Sequence, residues 1–373
     1  MVFPANKALK GNGLTNRPGC CFLEEIPFLR KYCMKRILPL IILTILGLLA
    51  VIIPGCDELV TKENTTYVTD TIIDSTCVAV CHSDISNAMS TAIKQWDNSA
   101  HSSDTLSDYT YFGRNTRICG PACHSTDGFV RSLNSAVDSV PYPSEIGCFA
   151  CHHPHTTWDF ALRDTATVTL ASGPSYNRGH SNICARCHKA TTDPAQAAHD
   201  SVNITLPWGP HGSTQADMLA GEGGYNFADT AIGNSSHTTT VTSGCITCHK
   251  EKSKGLNLGG HTFKLKDGPL ILAETCNRAS CHQSNPVVDF FQYDSLQVAY
   301  LATIDTLKGQ LIESNLLDST GLPVERMVTT ADSAGALFNY LFVTGDKSNG
   351  VHNTKYGLTL MRYSLNYLRL ALH

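Results

Sequence analysis

Apolar residues follow three different rules along this 373-residue chain. Near the N-terminus they form a run from Ile37 to Ile53, broken by Pro39, Thr44 and Gly47. Residues 57–76 are polar and Thr-rich without a period and read as a tether. From Cys77 to residue 285, Gly, Pro, Ser, Asn and Thr dominate and no apolar period persists. Such a stretch buries too little side-chain surface to fold by itself, so something other than side chains has to form its core. Residues 286–373 change character again. Leu296, Tyr300, Ile304, Leu307 and Leu311 recur at helical spacing, Asp332 precedes a helical-looking Ala334–Val343, and Asn353 or Thr354 caps a last helix with Leu358, Met361, Leu365 and Leu368 on one face. The pattern predicts two or three helices packed on the middle region.

The N-terminal run is preceded by Met34-Lys35-Arg36 and followed by Pro54-Gly55-Cys56, the layout of a secretory signal. The Cys behind small residues resembles a bacterial lipobox, which implies cleavage before Cys56 and lipid on that residue. Several acyl chains, each contributing about 0.8 kcal/mol per buried CH₂, anchor a protein stably. An uncleaved spanning helix is the competing expectation, since 17–25 apolar residues suffice to cross a bilayer. The organisation expected is an upstream extension over 1–33, signal peptide 34–55, tether 56–76, a cysteine-rich domain 77–285 and a helical region 286–373. Met34 then starts the chain, and the rest lies outside the cytoplasm, anchored in the periplasm or on the outer-membrane or cell surface.

The chemistry is carried by 16 Cys and 16 His. Cys148-Phe-Ala-Cys151-His152, Cys184-Ala-Arg-Cys187-His188 and Cys245-Ile-Thr-Cys248-His249 are C-x-x-C-H. Cys77-Val-Ala-Val-Cys81-His82 and Cys119-Gly-Pro-Ala-Cys123-His124 carry one extra residue, and Cys276-Asn-Arg-Ala-Ser-Cys281-His282 carries two. Two thiols adding across the vinyl groups of a haem leave the next residue placed to put an imidazole under the iron, while residues between the thiols can loop out. Zinc sites also use C-x-x-C but do not require His directly after each second Cys, and disulfides require no His. His follows all six pairs although it is only 16 of 373 residues. The expectation is six c-type haems, with His82, His124, His152, His188, His249 and His282 as proximal ligands. Six flat, largely apolar groups tied to the chain then supply the missing core.

Ten His remain, and several interleave with the motifs: His101 precedes Cys119, His237 precedes Cys245 and His261 precedes Cys276. Neutral imidazole commonly completes a low-spin electron-transfer haem. Trp96-Asp-Asn-Ser-Ala-His101, Cys148…His152-His153-Pro154-His155, Trp208-Gly-Pro-His211 with Gln215-Ala-Asp-Met218, Ser235-Ser-His237-Thr238 and Gly259-Gly-His261-Thr-Phe263 resemble bacterial multihaem cytochromes c of respiratory and extracellular electron transfer. Asp346-Lys-Ser-Asn-Gly-Val-His352-Asn353-Thr-Lys-Tyr356 is similar to the helical C-terminus of the nitrite-reductase-like and hydroxylamine-oxidoreductase-like branch. The resemblance implies His101, His155, His211, His237, His261 and His352 as distal ligands, with His180 as alternate and His153, His199 and His373 as bystanders. It also implies haems stacked in parallel and perpendicular pairs. The fold class expected is a multihaem cytochrome c, mostly coil with short α-helices after each haem motif, plus a small α-helical C-terminal bundle.

Charge narrows the partners. Residues 1–56 hold seven of the 28 basic and two of the 32 acidic residues, which leaves 21 against 30, a net of −9. Nucleic-acid binding calls for basic patches and is excluded. An acidic carrier suits redox partner proteins of opposite charge. With a distal His for every iron no coordination position is left for substrate, so the expectation is an electron carrier rather than an enzyme. It links a membrane or periplasmic donor to a terminal acceptor, and homo-oligomers are compatible with this. The alternatives are a reductase or oxidase of a small nitrogen or sulfur compound, and a subunit of an extracellular cytochrome filament. The C-x-x-C-K of related nitrite reductases does not occur, nor do G-x-S-x-G, H-E-x-x-H or a Walker loop.

Overall fold

The computed structural model describes residues 86–102, 120–137, 140, 143–153, 160–199, 201–205, 207–227, 232–251, 253–288 and 295–371. The chain divides into two units, Met1–Asp84 and Ile85–His373, and every described residue lies in the second. The expected signal peptide, Cys56, the tether, Cys77, Cys81, His82, Cys119 and His155 lie outside the described residues. No described helix is long and apolar enough to cross a membrane.

Three long helices form the C-terminal region: Leu296–Glu313, Ala331–Asp346 and Thr354–Ala371. The first buries Tyr300, Leu307 and Leu311, as its period predicts, with Ile304 half-buried. Leu296 departs from the expectation: it sits at the N-terminal edge, 40 % exposed, and Gln297 takes the buried position. The second helix starts earlier than expected. Thr330, not Asp332, is its N-cap, its hydroxyl accepting from the Ser333 N–H, and Asp332 falls in the first turn, where a carboxylate favours the helix dipole. The third is capped by Asn353, whose Oδ1 accepts from the Tyr356 N–H, and it buries Leu358, Met361, Leu365 and Leu368. Phe338, Phe342, Leu337 and Leu360 close the shared core, each side chain contributing about 1.5–3 kcal/mol on burial.

The remainder consists of short pieces around turns. It comprises α1 (Ser86–Asp97), α2 (Gly120–His124), α3 (Thr126–Ser132), α4 (Cys148–Cys151), α5 (Asn182–Ala185), α6 (Pro194–Ala197), α7 (Gln215–Ala220), α8 (Ser236–Thr240) and α9 (Ile246–His249). The long helices follow as α10, α11 and α12. Short helices were expected after the motifs; among the described residues α3 and α6 follow motifs, while α2, α4, α5 and α9 lie on the motifs themselves. The three sheets are two-stranded and antiparallel. One pairs β1 (Ser201–Asn203) with β2 (Val328–Thr330) in the register Val202↔Thr329 and so ties the cysteine-rich part to the strand leading into α11. Val202, Ile204 and Met218 join the core of the long helices. A second apolar cluster holds Phe129, Ala150 and Ile183, with Cys151, Cys184 and Cys187 packed against it.

Candidate haem sites and their supports

Each C-x-x-C-H motif is one tight turn closed by the same backbone bond, to which the Cys187 and Cys248 N–H groups add a second bond onto the same carbonyl in their motifs. The His N–H donates to the carbonyl of the first Cys from His152 to Cys148 (2.9 Å), from His188 to Cys184 (2.9 Å) and from His249 to Cys245 (3.0 Å). The expanded motif keeps the same closure, with His282 N–H donating to the Cys276 carbonyl at 3.1 Å. Its two additional residues lie within the loop that this bond closes. The long motif thus keeps the same pair of closing groups as the short ones.

Five motif histidines stand opposite a second histidine. His188 faces His101 with ring centroids 6.1 Å apart, His124 faces His211 at 6.1 Å, His152 faces His261 at 6.3 Å, His249 faces His352 at 6.3 Å, and His282 faces His237 at 6.1 Å. Two imidazoles sharing one metal, with metal–nitrogen bonds of about 2 Å and about 1 Å more to each ring centre, place their centroids roughly 6 Å apart. The donor set and its spacing fit iron held between paired imidazoles. Among the described residues, His153, His180 and His199 face no other histidine.

The partners are remote in sequence, and particular elements bring them in. Gln95 of α1 accepts the His261 N–H at 3.0 Å, and the same helix ends just before His101. The Trp208-Gly-Pro-His211 turn rests on α11, with Trp208 edge-on to Phe338 at 6.1 Å. Gly209, at φ +116°, lies where a Cβ would come 2.8 Å from Leu341, so the close approach requires glycine. His211 itself takes the left-handed conformation (φ 68°), uncommon outside glycine and concentrated at functional positions. Asn353 accepts the Ser235 N–H at 2.9 Å and donates to the Met218 carbonyl and to Thr238 Oγ1, which sets α8 and its His237 against the start of α12.

Nδ1 contacts aim the rings. The Nδ1–H groups of His152, His249 and His237 donate to the carbonyls of Phe160 (2.6 Å), Phe263 (2.7 Å) and Val351 (2.7 Å), leaving Nε2 for a metal. His188 Nδ1 meets the side-chain oxygen of Gln215 at 3.3 Å. His352 differs: its Nδ1–H donates to the Asp346 carboxylate at 2.6 Å. Burial pushes His101 and His261 down to about 4, helped by His188 at the first and by Lys250 and His152 at the second. Burial likewise lowers His124, His188, His211, His249 and His282, which keeps these rings in the neutral form a metal binds. Burial acts the same way on His352, but the Asp346 charge and hydrogen bond outweigh it and the net shift is upward.

Sulfur atoms of different motifs lie side by side. Cys123 touches Cys187, and Cys184 touches Cys245. Cys151 sits near Cys184 and Cys187, and Cys248 near Cys276 and Cys281. Thr275 Oγ1–H and the Arg278 guanidinium both donate to the Thr247 carbonyl, bracing the last two motifs together. The spatial sequence of the described cysteines is thus Cys123, Cys184/Cys187, Cys245/Cys248, Cys276/Cys281, with Cys151 beside the second pair. Neither this order nor the Nδ1 partners was foreseen from sequence. Gln215 and Asp346 do sit inside phrases noticed for other reasons, and the carboxylate six residues before His352 was the available signal.

No protein-family model matches the chain, and no curated protein does. Among solved structures it is similar to the outer cell wall cytochrome OcwA, with 19% identity and a TM-score of 0.47, over 74% of this chain and 49% of that one. It is also similar to an undecahaem cytochrome from the S-layer of Carboxydothermus ferrireducens, with 16% identity and a TM-score of 0.43, over 72% of this chain and 40% of that one. The chain spans half or less of the length of these structures.

Proposed function

We propose that this chain is an electron-transferring multihaem c-type cytochrome carrying six covalent haems, each with two histidine ligands. The supporting observation is that five motif histidines each face one partner histidine at 6.1–6.3 Å. Cys119/Cys123, Cys148/Cys151, Cys184/Cys187, Cys245/Cys248 and Cys276/Cys281 tether these five haems. The ligand pairs are His124 with His211, His152 with His261, His188 with His101, His249 with His352, and His282 with His237. Cys77, Cys81 and His82 hold the sixth haem, with His155 as its distal ligand.

Bound haem supplies one-electron chemistry, and the protein supplies orientation, exclusion of water and tuning. Thioether sulfurs of neighbouring sites in contact bring haem edges together, so electrons pass along the spatial order above, with the Cys148/Cys151 site as a branch. Partner histidines on both faces leave no position for substrate. The acidic surface suits a positively charged donor or acceptor, and a lipid on Cys56 fixes the carrier outside the cytoplasm.

Pyridine haemochrome quantitation combined with spin-state spectroscopy tests this. Six haems per chain, all low-spin when oxidised and slow to bind CO when reduced, are expected. Colourless protein holding zinc or cystine overturns the proposal. A high-spin, CO-binding fraction transfers that haem to an enzymatic role.

A further inference from the structure

Resting on the ligand scheme above, we propose that Asp346 is a positioning residue that makes the Cys245/Cys248 haem harder to reduce than a neutral partner on His352 would, and so sets a thermodynamic step in the middle of the electron route.

Four of the five Nδ1 contacts around the paired histidines go to neutral oxygens: the carbonyls of Phe160, Phe263 and Val351 and the side-chain amide of Gln215. Of these five contacts the one from His352 goes to a carboxylate, and at 2.6 Å it is among the two shortest of the set. The Asp346 side chain is fully shielded from solvent. Its second partner is the Ser348 hydroxyl, which donates to Oδ2. Among the described residues its one ion-pair partner is His352, so no lysine or arginine neutralises it. The charge therefore acts through the ring with little screening by water.

A carboxylate on the far nitrogen draws the Nδ1 proton toward itself and raises the basicity of the ligating nitrogen. Electron donation from that nitrogen favours the ferric over the ferrous state, and second-shell hydrogen bonding is an established lever on haem potential. The backbone supports this geometry. Asp346 ends α11, Lys347 takes a left-handed C-cap (φ 58°), and Asn349 (φ 53°) and Gly350 (φ +92°) reverse the chain, so that His352 returns to the carboxylate six residues behind it.

The position gives the step a function. Cys245 touches Cys184 on one side and Cys248 neighbours Cys276 on the other, so the tuned haem separates the Cys119/Cys123, Cys148/Cys151 and Cys184/Cys187 group from the Cys276/Cys281 haem. A lowered potential there holds back electrons that pass between the two sides.

The test is a spectroelectrochemical titration of the six-haem protein, wild type against Asp346→Asn and Asp346→Glu. In Asp346→Asn, one sixth of the α-band amplitude is expected to shift toward easier reduction by at least tenfold in its equilibrium constant, equal to 59 mV for a one-electron couple. The rest of the curve stays in place, and Asp346→Glu returns the shifted component to within threefold of wild type. Six unchanged potentials in Asp346→Asn overturn the proposal and leave the ligand scheme standing, as does an equal shift in the Glu variant. A new high-spin haem in Asp346→Asn whose spin state and potential the Glu variant does not restore also overturns it. Fewer than six low-spin haems in the wild type reject the ligand scheme instead.

Discussion

Asp217 is a buried carboxylate whose cost can be separated from everything else in the molecule by its pH dependence. It lies on α7, fully buried, with Oδ2 accepting the Ala190 N–H at 2.7 Å two residues beyond His188, while Oδ1 has no hydrogen-bond partner. Burial raises its pKa from 3.8 to about 6, against the opposing pull of the Ala190 bond and Lys189. Because the folded value is the higher one, the group stabilises the fold fully below the unfolded value, and that contribution disappears as pH climbs through about 6. At 1.36 kcal/mol per pH unit, the whole effect is about 3 kcal/mol. Asp217→Asn removes the ionisation and keeps an oxygen for Ala190, but leaves an amide N–H group to be satisfied, a pH-independent cost of about 1–3 kcal/mol. The stability of the variant minus that of wild type, from denaturant midpoints followed by far-UV dichroism, should therefore rise by about 2 kcal/mol between pH 4.5 and 7.5, whatever its starting value. A difference that stays flat across this interval refutes the reasoning.

Two further predictions concern the histidine framework. Gly350→Ala places a Cβ 2.7 Å from the Tyr300 ring at a backbone φ of +92°; thermal or denaturant unfolding should show a loss of about 2–4 kcal/mol. His155→Ala should create one high-spin haem that binds CO, whereas His180→Ala should leave the spin state unchanged; the reverse result reassigns the sixth distal ligand.

What could be read in the sequence was local. A Cys pair followed by His is legible by itself as a closed turn, because the bond that shuts it lies within the motif. The 3.6-residue period of Leu358, Met361, Leu365 and Leu368 likewise needs no distant information. The cap at Thr330 was missed because a hydroxyl at Thr330 serving Ser333 competes with a carboxylate at Asp332, and the backbone chooses between them. The pairing of histidines was beyond reach for a different reason. His101 lies nearest in sequence to the Cys119–His124 motif yet stands opposite His188, because α1 packs against the turn before Phe263 and carries His101 with it. Asp346 was visible as a residue, but its meeting with His352 depends on three positive-φ residues between them, Lys347, Asn349 and Gly350.

In the proposed ligand scheme, the distance in sequence between paired histidines imposes an order on maturation. The haems at His188 and His282 find their partners, His101 and His237, already behind them as the polypeptide emerges. Those at His124, His152 and His249 must wait for His211, His261 and His352, which arrive much later. Under that scheme the newborn chain carries irons with one face bare, open to oxygen and carbon monoxide, and the last of these is closed only when the final helix has followed its capping asparagine into place.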